Sequence, residues 1–112
     1  MTTVRFGYKD GRYSISVTGH AGYNAEGPDI VCASCSMLSW LLVQNIAAEE
    51  SDGHVRDLRY EYKGGDVCAA FVADANYAER IALIVDVIKG GFFALSISYP
   101  DNVMFVEGQG EL

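Results

Sequence analysis

Asp10-Gly11 separates two runs in which apolar and polar side chains alternate, and that pattern leaves few folds open. The first run, "TVRFGYK", sets Val4, Phe6 and Tyr8 on one side, and the second, "RYSISVT", does the same with Tyr13, Ile15 and Val17. Alternation with period two marks a strand with one buried face. Asp-Gly is a strong hairpin signal because the favoured two-residue turn needs positive φ at its centre. The chain therefore begins as a β-hairpin whose apolar face needs a cover.

The rest of the sequence supplies one. Asp29 is placed as the N-cap of a helix from residue 30 to about 49, stopped by the turn "SDG". "VRDLRYEY" and "VCAAFVA" read as two strands joined at "KGGD". Asp74 caps a second helix with an apolar stripe at Tyr77, Ile81, Ile84, Val85 and Ile88. Gly90-Gly91 is read as its C-terminal stop. "FFALSISY", alternating Phe93, Leu95, Ile97 and Tyr99, is read as the last strand, and residues 102–112 as a flexible polar tail. The order is ββαββαβ. It predicts one α+β domain over residues 1–112, two helices on a mostly antiparallel five-stranded sheet. Cys68, Met37 and Trp40 are expected in the core and His54 in solvent.

Fifteen acids against eight bases give a net charge of −7, with no run of Lys and Arg along the chain. This disfavours a phosphate backbone as the main partner and suits a basic peptide. The N-terminus has no apolar run of signal-peptide kind, and the apolar stretch 30–43 is too short to span a bilayer. A cytoplasmic protein without a membrane partner is expected. Three cysteines, an odd number, do not form a secreted disulfide framework.

The chemistry gathers in "GHAGYNAEGPDIVCASCS". His20 leaves the second strand, a loop with Gly22 and Gly27 follows, and Cys32 falls in the first turn of the helix. Unpaired amides and the helix dipole there favour a thiolate, and a nearby imidazole can accept the thiol proton and return it to a leaving amine. First-turn amides are candidate oxyanion donors. Asp29 has two roles open to it, capping the helix or orienting His20. Ser36 lies one turn beyond Cys32, in a stripe of small side chains with Cys35 and Ser39. The loop, held by little else, is a candidate substrate cover.

The same stretch resembles the signature of the ribosomal-processing cysteine protease family, Prp. Gly19-His20-Ala21, Asp29-Ile30-Val31-Cys32-Ala33 and Ser36 carry the resemblance, as do the interval between His20 and Cys32 and the ββαββαβ order. The resemblance implies Cys32 as nucleophile and His20 as its base and acid, with Asp29 and Ser36 in support. It also implies removal of a short N-terminal extension from a protein of the bacterial large ribosomal subunit, a homodimer, and no metal or organic cofactor.

Three rivals stand beside it. "CASC" is a C-x-x-C at a helix start, the arrangement of a thiol–disulfide oxidoreductase using Cys32 and Cys35, although no supporting proline is suitably placed. The pair is also spaced for an internal disulfide on oxidation. A metal site from His20, Cys32, Cys35 and Cys68 matches no familiar zinc spacing. A ribosome-associated binding module would keep the fold without the chemistry.

Overall fold

The computed structural model of the protein describes residues 1–109. Five strands and two long helices follow in the order β1 (Thr2–Lys9), β2 (Arg12–Thr18), α1 (Ile30–Ser51), β3 (Val55–Lys63), β4 (Asp66–Ala73), α2 (Ala78–Ser98) and β5 (Val103–Gln109). The sheet order is β3-β4-β2-β1-β5. Among the described residues only the β1–β5 pair is parallel, and the others are antiparallel. This is the expected α+β arrangement.

Asp10 and Gly11 both adopt positive φ, as the hairpin turn requires. The alternation then does its work: Val4, Phe6, Ile15 and Val17 are buried and meet Val31, Leu42 and Ile46 of α1 and Ile81, Val85 and Phe92 of α2. The helices cover one face of the sheet, and the opposite face is open. Each helix is long and apolar enough, by length and composition, to cross a membrane, unlike the stretch 30–43 on which the sequence estimate rested.

The C-terminal third corrects the sequence reading. α2 runs through Gly90-Gly91, and residues 93–98 form its last turns rather than a strand. A strand would bury Phe93 and Ile97, yet these are 53% and 66% exposed while Phe92 is fully buried. The second glycine serves helix packing. A Cβ on Gly91 would lie 2.8 Å from Leu38 Cδ2, so α1 and α2 approach closely at this point. The fifth strand instead lies within the segment read as a tail, paired with β1 from Thr2↔Val103 to Tyr8↔Gln109. Residues 110–112 lie outside the described residues.

Single positions also differ. Cys68 is exposed on the open sheet face, because its neighbours Val67 and Ala69 take the inward positions. Met37 and Trp40 face outward from α1. His54 is partly buried, stacked on Tyr77 with its Nδ1 3.1 Å from Glu49 Oε1. Asp74 caps a short 3-10 helix, Ala75–Tyr77, that leads into α2.

Candidate active site

α1 starts where the sequence places it, and its N-cap explains the local architecture. Asp29 Oδ1 accepts the amides of Val31 and Cys32 at 3.0 and 2.9 Å. Asp29 Oδ2 accepts those of Tyr23 and Asn24 at 3.0 and 3.4 Å. One carboxylate thus ties the helix start to the glycine-containing loop. These amides, led by that of Cys32, hold its pKa below the usual carboxylate value. Among the described residues no hydrogen bond joins Asp29 to His20, so of its two candidate roles the side chain is engaged in capping.

The occupied cap changes the expected oxyanion chemistry. The Val31 and Cys32 amides are taken by Asp29 Oδ1, and that of Ala33 by the Asp29 carbonyl at 3.0 Å. These first-turn amides are therefore not free donors. The backbone donor aimed at the thiol comes from the loop, where Ala21 N–H donates to Cys32 Sγ at 3.2 Å. Ala21 is itself buried, and its carbonyl accepts Asn102 Nδ2 at 3.0 Å. A residue just before β5 therefore steadies the donor.

His20 reaches the same place from β2. The Gly19 amide donates to Asp66 Oδ1 at 3.4 Å, and the Gly19 carbonyl accepts Thr2 Oγ1 at 3.3 Å. The His20 carbonyl accepts the Met1 ammonium at 2.7 Å. Gly19 has φ +86°, and a Cβ there would lie 2.5 Å from the Met1 carbonyl oxygen, so the approach to His20 requires glycine. The imidazole lies over the β3–β4 turn, where a Cβ on Gly65 would come 2.8 Å from His20 Nε2. His20, Cys32, Ser36, Tyr62 and Gly65 line one cleft of about 190 Å³. Among the described residues no hydrogen bond links the His20 ring to Cys32 Sγ, though both line the cleft.

Ser36 is exposed, and its carbonyl accepts Tyr62 Oη at 2.9 Å, which fixes β3 against α1 beside the thiol. Gly22 has φ +68° in the loop, and Gly27 packs near Asn24. Cys35 also lines this cleft, at its buried side, and packs in the core. Burial pushes its thiol up to about 11, with Cys32 and Asp29 adding to the shift. Gly65 and Tyr62 escaped the sequence reading, as did the donor role of Ala21, which was read only as part of the motif. "KGGD" signalled a turn, but only the pairing of β3 with β4 brings that turn under His20.

A thiol at a helix start with an imidazole lining the same cleft is an arrangement used by cysteine proteases. The model of the family described as "Cysteine protease Prp" matches residues 1–104, and the chain belongs to that family. Among solved structures it is similar to the essential ribosomal processing protease Prp from S. aureus in complex with a covalently linked product peptide. That match has 24% identity over 96% of this chain and 99% of that one, with a TM-score of 0.73. A protein from Streptococcus mutans is similar at 26% identity, 98% and 96% coverage and a TM-score of 0.71. The S. aureus protease with a substrate peptide matches at 23% identity, 96% and 99% coverage and a TM-score of 0.68. Among curated proteins none matches the chain.

Proposed function

We propose that this chain is a cytoplasmic cysteine endopeptidase that removes a short N-terminal extension from a basic protein of the bacterial large ribosomal subunit. The observation that carries the reading is the convergence of His20 and Cys32 on one cleft, with the Ala21 amide donating to the sulfur. His20 takes the Cys32 proton, and the thiolate adds to the scissile carbonyl carbon. The Ala21 amide passes from sulfur to the oxyanion, since the other nearby first-turn amides are engaged. Collapse breaks the C–N bond, and the imidazolium gives its proton to the departing amine. A water then loses a proton to His20 and attacks the thioester, releasing the acid and restoring the thiol. Asp29 and Ser36 position the site, and the loop with Gly22 and Gly27 covers the substrate. Neither metal nor organic cofactor enters these steps.

The reading extends to a homodimer. Leu83, Val87, Gly90, Ala94 and Ile97 alternate in steps of four and three along the outer side of α2, the spacing of a helix–helix seam, and all are exposed. Two copies joined there bury a stripe that one copy leaves in water. The oxidoreductase alternative is poorly supported, because a buried Cys35 with a pKa of about 11 is a weak resolving thiol.

Mass spectrometry tests the reading on the precursor ribosomal protein carrying its extension, with Cys32→Ala and Cys35→Ala run alongside. The expected result is one cut, abolished by Cys32→Ala and spared by Cys35→Ala. No cut by the reduced protein, or a cut that survives Cys32→Ala, overturns it, and an intact biological role for Cys32→Ala favours the binding module.

A further inference from the structure

The chain's cations are scattered in sequence but gathered in space. On the open face of the sheet the strand register sets residues side by side in rows. Lys9, Arg12, Val72 and Arg56 form one row across β1, β2, β4 and β3. The next carries Gly7, Ser14, Ala70 and Arg59, and the one after it Arg5, Ser16, Cys68 and Glu61. Lys63 stands beside Asp66 in the row beyond. Six of the eight cations thus stand in these rows, and among the described residues the paired positions of the rows hold two acids, Glu61 and Asp66. The other two cations, Arg80 and Lys89, lie on α2. Spaced positions on three strands, β1, β2 and β3, carry the cluster, so no basic run appears along the chain.

Among the described residues Arg5, Lys9, Arg12, Arg56 and Arg59 form no salt bridge, and Lys63 has only a loose contact with Glu61 at 3.9 Å. Between Arg5 and Arg59 lies a trough of about 400 Å³ whose floor is small: Ser14, Ser16, Cys68 and Ala70. With strands about 4.8 Å apart, the strands of Arg5 and Arg59 are separated by roughly 14 Å, and successive rows by about 7 Å. In a protein of net charge −7 this is a segregated cationic face, with room at its centre, whose arginines form no salt bridge among the described residues.

We propose that the open sheet face binds single-stranded RNA, its phosphates held by Arg5, Arg12, Arg56 and Arg59 and a base lying in the small-residue trough. The inference rests on charge placement and does not depend on the peptidase reading. Arginine forks match phosphate oxygens, and guanidinium planes stack on bases. An extended acidic peptide gains less here. It binds well by adding a strand at a sheet edge, whereas the backbone groups of β2 and β4 are already paired on both sides. An anionic bilayer also fits poorly, since Leu83, Val87, Phe93 and Ile97, exposed apolar side chains able to insert, stand on the helix layer.

The test is fluorescence anisotropy of the whole protein with a labelled single-stranded RNA oligomer, measured over a range of salt concentrations. Wild type is expected to bind, and Arg5→Gln/Arg59→Gln to bind at least tenfold more weakly. The slope of log affinity against log salt should become shallower by about 0.7 for each phosphate-contacting arginine removed. Arg5→Lys/Arg59→Lys should keep much of the binding, Lys89→Gln all of it, and circular dichroism should report an unchanged fold throughout. The proposal is overturned if wild type fails to bind at low salt or if the glutamine variants bind like wild type. It also falls if polyglutamate or phosphatidylglycerol vesicles bind as tightly as RNA with the same arginine dependence. Cleavage of a free peptide by the glutamine variants should match wild type, so loss of RNA binding is separable from loss of peptidase activity.

Discussion

At the N-terminal end of α1 one carboxylate, Asp29, collects four backbone amides, while the Cys32 thiol and His20 ring beside it share no hydrogen bond. At the C-terminal end another carboxylate, Glu49, is held by side chains instead. Arg80 reaches both its oxygens through Nε and Nη2, and His54 Nδ1 lies 3.1 Å from Oε1 while its ring stacks on Tyr77. Glu49, Asp52 and His54 sit close enough to suggest a metal site by residue type. The Arg80 guanidinium already occupies the Glu49 oxygens that a cation would need. Both Glu49 oxygens are engaged within the cluster, which marks it as a lock. At the other end the carboxylate binds backbone alone, and the only hydrogen bond to the thiol among the described residues comes from a loop amide, that of Ala21.

The largest expected effect breaks the reactive end alone. Cys32→Ala should lower peptide cleavage by at least about 1,000-fold, as removal of a covalent nucleophile does. Its Tm should stay near that of wild type. A large fall in Tm would mean that the thiol is structural and that the comparison fails. Gly65→Ala comes next. It adds a Cβ 2.8 Å from His20 Nε2 at a residue with φ +84°, so the ring must move. Cleavage should fall by up to about 100-fold, the scale of a 1 Å misplacement in a catalytic group. Cleavage equal to wild type would show that the observed ring position is irrelevant to the reaction.

Arg80→Gln probes the locked end and should leave cleavage within about twofold, since it lies outside the reacting groups. Its stability effect should depend on pH. The hydrogen bond from Arg80 leads in holding the Glu49 pKa below its usual 4.5 in the folded state. A depressed folded pKa contributes stability above the unfolded value, and that contribution disappears as pH falls through the folded one. Wild type should therefore melt higher than Arg80→Gln at neutral pH, and the two should converge in acid. Parallel melting curves at every pH would remove Glu49 from the account.

The same contrast separates what the sequence disclosed from what it hid. Asp29, Cys32 and His20 lie within one short stretch, and capping and helix-start chemistry are local, so both were legible. Features that depend on distant chain segments were not. Gly65 reaches His20 only through the β3–β4 pairing, and the cationic face exists only once four strands are in register. The helix–strand confusion in "FFALSISY" has the same origin. Gly90-Gly91 has the local chemistry of a stop, but Gly91 meets Leu38, 53 positions earlier in the chain, and close helix packing overrides the weak local preference.

The smallest effect concerns two thiols one helical turn apart. Cys35 is buried and its pKa is raised to about 11, so near neutral pH it is a protonated core thiol. Cys32 is partly buried and Cys68 is exposed. Brief treatment with iodoacetamide at neutral pH should therefore modify Cys32 and Cys68 in the folded protein and Cys35 only after denaturation, as peptide mass spectrometry can resolve. Cys35→Ala should keep cleavage within about twofold and lower stability by about 1 kcal/mol, the ordinary cost of a single substitution. If mild peroxide instead joined Cys32 to Cys35, the thiol would have to leave the core, and the first turns of α1 would have to open. The burial of Cys35 argues that both thiols stay free under such treatment, and counting free thiols before and after exposure distinguishes the outcomes.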